Sequence, residues 1–295
     1  RIAEPLGMSS LSFTAHEMAA AGNHALGYDR RPGRTVRVPH ENLAPVGPAG
    51  SINAHLIDLC KWIAFQMNGA KAGRKRLLSP TTLRDIHTPQ IAFKESPLYD
   101  ELLDPAYALG WCVQPYRGHR RLTHAGCMDG YNANTSFMPQ DGIGVVVLTN
   151  VTASPLVRLV PYAVFDALLG LQPLDWNRRF RTEQRQQRAN RPRKARGRRG
   201  TRPSHPLKEY AGTYEHPAYG RLVVSRRGGR LVTTLNGYHR PLEHVHYDQF
   251  EIVSRGTWPW RKRLAFHTGP DGAINALAAA LQDGAPDVVF QKRKK

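Results

Sequence analysis

Between Arg178 and Pro203 the chain carries twelve Arg or Lys residues against one acid, Glu183, a net of +11 (12 − 1). No hydrophobic core can absorb such a run, because each unpaired buried charge costs several kcal/mol, on the order of the effective desolvation penalty of an ion. Pro192, Gly197, Gly200 and Pro203 also argue against one continuous helix through it, although its first part is compatible with a helix. The run therefore divides the chain into residues 1–174, a linker 175–203, and residues 204–295 with a basic tail. It also explains the overall charge of +19: with +11 here and +4 in Lys292-Arg293-Lys294-Lys295, only +4 remains for everything else. The folded parts are thus not strongly basic. From Arg181 onward no aromatic residue interleaves the arginines to stack bases, so a solvated linker is the favoured reading and nucleic acid an unlikely partner. An electrostatic arm for a polyanion is the alternative.

Within the first part, Arg121 to Asn150 has the pattern of antiparallel strands joined tightly: RLTHAGCMDGYNANTSFMPQDGIGVVVLTN, with turns at Gly130 and Gln140-Asp141-Gly142. Strands are expected near 107–115, 121–126, 131–138 and 143–149. Leu56, Leu59/Cys60, Ile63/Ala64 and Met67 recur at helical spacing, predicting a helix from Asn53 to Gly69 with Ser51 or Asn53 as cap and that stripe in the core. Ser79-Pro80 starts a second helix, with His87 near its end as an ordinary surface or terminal-turn histidine. Ser154-Pro155 opens a third, with Pro161 inside it and Gly170 as its stop. Residues 9–47 show little periodicity and read as a loop-rich excursion. An antiparallel sheet flanked by helices makes this half α+β.

From Ser204 the pattern changes to eight short strands between tight turns such as Gly228-Gly229, Asn236-Gly237 and Asp271-Gly272, which predicts a closed up-and-down barrel. His244 and His246 share one face of a strand, but no third ligand is evident, and no metal or other cofactor is expected. Cys60, Cys112 and Cys127 form neither a zinc spacing nor a disulfide framework. No run of 18 apolar residues encodes a transmembrane helix.

One resemblance joins these features. His124-x-Gly126, the Gly130-Tyr131 turn and a strand ending Val147-Leu148-Thr149-Asn150 resemble the third motif of the serine β-lactamase-like hydrolases: class C β-lactamases, D-Ala-D-Ala carboxypeptidases, esterases and related peptidases. Arg1 to Met8 is similar to the segment that follows the second catalytic motif. Pro48 to Asn53 leading into Asp58 to Trp62, then Leu77 to Pro80 and Met138-Pro139, follow in the family's order, so the match covers roughly the first 170 residues. His205 to Leu207, Glu215 to Gly220 and Pro241 to His244 resemble a lipocalin-like C-terminal domain attached to some peptidases of the superfamily.

The resemblance implies an acyl-serine hydrolase acting on a small peptide, amide or ester, with homo-oligomer formation possible. It places His124 and Gly126 in the site, gives the Cys127 N–H to an oxyanion hole, and sets Ala125, Tyr131 and Asn132 against substrate. The Cys127 thiol is a poor nucleophile candidate, because adjacent strand positions send their side chains to opposite faces. The family also uses a Ser with Lys three residues on, and a Tyr-x-Asn. Neither occurs in these 295 residues. Ser51-Ile52-Asn53 matches the S-x-N form of the second motif but sits where a helix cap is expected. The chain therefore reads as the C-terminal part of a longer hydrolase, inactive by itself. The competing reading is a non-catalytic remnant that binds a ligand or polyanion through the barrel and basic linker.

Overall fold

The computed structural model describes all residues except 32, 41–46, 94–96, 190–196, 199, 255–259, 283, 294 and 295. Much of the arginine run and the end of the tail thus lie outside the described residues. The chain divides into two compact units, Arg1–Asn190 and Arg191–Lys295.

In the first unit, helix α1 (Ala15–Ala20) is closed by a capping box between Thr14 and Glu17. A hairpin follows, β1 (Tyr28–Arg31) with β2 (Arg34–Arg37). The excursion expected at 9–47 is therefore partly regular. After a single turn, α2 (Gly47–Gly50), comes α3 (Leu56–Met67), whose cap is His55 rather than Ser51 or Asn53. The Ser51 hydroxyl donates to the Gly47 carbonyl at 2.9 Å, and the Asn53 amide reaches the Ser12 hydroxyl at 3.2 Å. The buried face of α3 also differs from the expected stripe: Asp58, Ile63, Phe65 and Gln66 are inside, whereas Leu56 and Cys60 are exposed. Asp58 can be buried because the Ser10 N–H and hydroxyl, each at 2.8 Å, and Lys61 Nζ, at 2.9 Å, donate to its carboxylate.

The short hairpin β3 (Lys71–Ala72) and β4 (Lys75–Arg76) leads to α4 (Pro80–His87), capped by Ser79 as expected. His87 is not a surface residue: it is buried and its Nε2 lies 2.8 Å from Gln66 Oε1. Then come β5 (Ile91–Ala92), β6 (Ala106–Tyr107), β7 (Cys112–Val113), β8 (Leu122–Met128), β9 (Tyr131–Met138) and β10 (Ile143–Thr149). They form one antiparallel sheet in the order β10-β9-β8-β7-β6-β5. The strand expected at 107–115 is two strands, because the Ala108 N–H bonds the Trp111 carbonyl at 2.7 Å across a turn with Gly110 at φ +87°.

Helices cover the two faces. Ile63 of α3 packs with Trp111, Leu122 and Phe137 on one. On the other, Met138 and Val145 meet Leu159, Tyr162 and Phe165 of α5 (Leu156–Leu168) and Trp176 of α6 (Trp176–Ala189). The segment read as linker thus begins as a helix packed on the first unit. Asp166 anchors it, accepting from Trp176 Nε1 at 2.8 Å, the Tyr116 hydroxyl at 2.5 Å and Arg117 Nη1 at 2.8 Å.

The second unit opens with a turn of helix, α7 (Leu207–Tyr210), and is otherwise β11 (Gly212–His216), β12 (Gly220–Arg227), β13 (Arg230–Leu235), β14 (Tyr238–His246), β15 (Gln249–Ser254), β16 (Trp260–Thr268), β17 (Ile274–Ala279) and β18 (Val288–Lys292). These strands close an antiparallel barrel, β18 pairing back to β11 through Tyr214↔Lys292 and Glu215↔Gln291. Tyr214, Leu222, Phe250, Leu264, Leu277 and Phe290 are among the side chains that fill it, as suits the narrow interior of eight strands. On β14, His244 Nε2 lies 2.8 Å from the Tyr247 carbonyl oxygen, and a register shift separates it from His246. Among the described residues no helix is long and apolar enough to cross a membrane.

Candidate functional site

The site begins with where strand β8 loses a neighbour. Its pairing to β7 is limited to Leu122↔Val113 and Thr123↔Cys112, whereas its pairing to β9 continues to Met128↔Tyr131. From His124 to Met128 the strand therefore has a ladder partner on one side only, among the described residues. Such an edge leaves backbone donors and acceptors free to pair with an extended chain.

Strand alternation then sorts the side chains. Leu122 and Phe137 pair across the strands and lie in the core under α3, so His124, Gly126, Ala133 and Thr135 share that face. Met138 lies in the core under α5, so Asn132 and its partner Cys127 face that way. His124, Ala125, Gly126 and Cys127 are exposed. A Cβ on Gly126 would meet only the Ala133 side chain, at an ordinary 3.8 Å, and Gly126 is not among the positive-φ residues. Internal packing thus does not require glycine there. Its effect is to keep the surface beside His124 low. The cross-strand row Gly126, Ala133 and Leu148 continues that surface without a polar side chain, Leu148 being 38% exposed.

Two neighbours define the rest. His124 Nε2 lies 3.0 Å from the hydroxyl of Tyr107, on β6. At the turn, the Tyr131 hydroxyl donates to the Ala25 carbonyl at 2.7 Å and lies 2.8 Å from His40 Nδ1. Because the phenol has one proton, His40 Nδ1–H is the donor in the second bond. Burial, then the nearby His24 and Arg37, hold His40 below its ordinary pKa, and burial pushes Tyr131 up.

His124 and Gly126 thus lie together on one open face, with the Ala125 backbone between them. Tyr131 begins the neighbouring strand on that face, with its hydroxyl already engaged by the loop before β1. Asn132 lies on the opposite face, 7% exposed, and its amide donates to the Gly126 carbonyl at 2.6 Å, so it braces the strand pair rather than presenting itself beside His124. The Cys127 side chain is on that opposite face too. Partial burial pushes its thiol up, outweighing the Ala153 N–H directed at it, and the Asp129 charge adds to the rise, so the sulfur is not a ready thiolate.

Sequence reasoning missed Tyr107 as a neighbour of His124. The two are 17 residues apart and meet only because β6, β7 and β8 stack side by side. The His24–His40–Tyr131 cluster, with ring centroids 5.6 and 5.5 Å apart, was hidden for the same reason. A candidate metal cluster of three or more His, Cys, Asp or Glu is absent among the described residues.

The chain is similar to known proteins in sequence and in fold. A family model described as Beta-lactamase matches residues 1–169, and one described as a domain of unknown function, DUF3471, matches residues 197–293. An unguisins hydrolase of Aspergillus campestris is 29% identical over 240 residues, covering 76% of this chain and 43% of that protein. A second, from Aspergillus violaceofuscus, is 29% identical over 263 residues, 78% of this chain and 46% of its own length. The chain thus spans less than half the length of these two relatives. Among solved structures, an octameric penicillin-binding protein homologue from Pyrococcus abyssi aligns with a TM-score of 0.51 at 18% identity, over 98% of this chain and 58% of that one, a likeness of fold.

Proposed function

The chain belongs to the β-lactamase family of serine hydrolases, and we propose that it supplies the third-motif side of an acyl-transfer site for a small peptide, amide or ester. The observation that carries this reading is the half-free strand from His124 to Met128, with a glycine at 126 that packing does not demand. A substrate lies along that edge, its backbone passing over Gly126. The Cys127 N–H donates to the oxygen of the attacked carbonyl as it becomes an oxyanion, and His124 bonds the substrate or the groups that manage the nucleophile's proton. The Tyr107 hydroxyl is the hydrogen-bond partner that orients that imidazole, and Asn132 holds the strand through the Gly126 carbonyl. The apolar row Gly126, Ala133 and Leu148 favours an uncharged group on the acyl side.

The reaction also requires a nucleophile, and the Ser-x-x-Lys and Tyr-x-Asn patterns are not present in this sequence. In this reading the 295 residues alone do not form an acyl-enzyme. The barrel is lipocalin-like in the sense of its closed eight-stranded wall, and its filled interior suits a structural or capping role better than carriage of a ligand. Assembly of several copies belongs to the same proposal, and a light-scattering mass of one chain would count against it.

The test has two arms. Fluorophosphonate treatment of the 295-residue chain is expected to label no serine, and labelling overturns the inactivity. Translation of the coding DNA upstream of Arg1 is expected to yield both missing patterns in frame, and in that longer product His124→Ala should lower turnover at least about a hundredfold, the scale of losing one stabilising donor. A frame without a nucleophile, or full activity in the variant, overturns the catalytic reading.

A further inference from the structure

Arginines converge away from the His124 strand as well. Arg76 at the end of β4, Arg84 on α4 and Arg120 before β8 line one cleft of about 290 Å³, with Pro80 and Leu83 supplying apolar wall. Arg76 Nη1 donates to the Gly69 carbonyl at 2.5 Å and Arg120 Nη2 to the His87 carbonyl at 2.6 Å. Each is tethered through one N–H, so the remaining guanidinium donors stay available. The Arg84 guanidinium is exposed and has no hydrogen-bond partner among the described residues. None of the three forms an ion pair with a described carboxylate, and Asp85, next to Arg84, does not line the cleft.

Three like charges around one concavity repel one another unless an anion joins them, and guanidinium forks match the oxygens of phosphate. His87, which also lines the cleft, adds no charge near neutral pH, since burial and the adjacent Arg120 push it down to about 4. The tethering matters because it removes part of the side-chain entropy that binding would otherwise cost.

We propose that this cleft binds a phosphate-type dianion, either free phosphate or the phosphate group of a small ester, through Arg76, Arg84 and Arg120. Apolar wall beside the charges gives room for the organic part of an ester. The site is separate from the strand edge around His124, and its failure would leave the hydrolase reading untouched.

Isothermal titration of the full chain with inorganic phosphate at low salt tests it. One saturable site is expected, weakened about tenfold or more by Arg84→Ala, as fits the loss of a charge-assisted contact. Arg84 is exposed and has no side-chain partner among the described residues, so the variant should keep its melting temperature. Arg181→Ala removes the same charge from α6 and should leave the affinity unchanged. Tighter binding of phenyl phosphate identifies an ester as the ligand, and equal or weaker binding identifies phosphate itself. No saturable heat, or equal weakening by both variants, overturns the proposal, the latter because diffuse positive charge would then explain the binding.

Discussion

The Gly130 backbone lies so close to that of Gly27 that a Cβ on Gly130 would sit 2.6 Å from Gly27 Cα. This approach ties the loop before β1 to the turn that joins β8 and β9, and so fixes the end of the candidate substrate edge. Gly130 also has φ +90°, a conformation unfavourable for a side chain. Gly130→Ala should therefore destabilise the first unit by about 2 kcal/mol or more through combined overpacking and strain. Urea denaturation measures it, and a loss below about 0.5 kcal/mol, within the scatter of surface changes, would show that the contact is dispensable.

Tyr107→Phe removes the partner of His124 Nε2 without opening a cavity. The fold should lose no more than about 1 kcal/mol, the net worth of a neutral hydrogen bond. The ring should nevertheless change its tautomer balance, visible in the imidazole nitrogen shifts by NMR. Unchanged shifts would mean that the tyrosine does not orient His124.

Asp58 is held well below the usual carboxylate range: the Lys61 and Ser10 hydrogen bonds together outweigh burial, the largest single influence, which acts in the opposite direction. Asp58→Ala leaves Lys61 without its 2.9 Å partner and removes both Ser10 contacts to the carboxylate, loosening the opening segment's hold on α3. A destabilisation of about 1.5–3 kcal/mol is expected, the scale of losing hydrogen bonds to a charged group, because the Lys61 left behind is 39% exposed and still reaches water. Hydrogen exchange should show the Ser10 amide losing protection before the sheet does, and equal protection in the variant would contradict the clasp.

Burial and Arg120 together push His87 down to about 4 from 6.5. The unfolded chain then binds more protons between those values, so this contribution to stability is complete above pH 6.5 and is lost as pH falls toward 4. At its largest it is on the order of 3 kcal/mol. His87→Gln should flatten the stability profile between pH 6.5 and 4, leaving acid loss below that window to groups such as Asp58, whose depressed carboxyl is stabilising above its ordinary pKa and loses that effect only as the pH drops further. A profile unchanged by the substitution would assign the slope to other groups.

Each of these sites shows a different degree of legibility in the sequence. The barrel strands were readable because period-two patterning and Gly turns are local signals, and eight such strands suggest a closed barrel, which the pairing of β18 back to β11 completes. Thr14-x-x-Glu17 is likewise a local signal, a capping box that the expectation of a loop-rich excursion overlooked. The cap of α3 was misplaced because Asn53 is drawn to Ser12, 41 residues away. The buried stripe was misassigned for a related reason: Asp58 goes inside on the strength of Ser10 and Lys61, against its own polarity.

The sequence by itself determined the two-part organisation, the antiparallel strand pair around Gly126, the eight-stranded pattern and the concentration of positive charge in residues 178–203 and 292–295. These depend on local backbone preference and on the cost of burying charge, both of which act residue by residue. Tertiary structure decided which strand edge stays open, that Tyr107 meets His124, that Asn132 and Cys127 turn away from it, that Arg76, Arg84 and Arg120 surround one cleft, and that residues 176–189 pack as a helix. Those outcomes depend on which distant segments share a ladder or a core, and the contacts that select them exist only once the chain has folded.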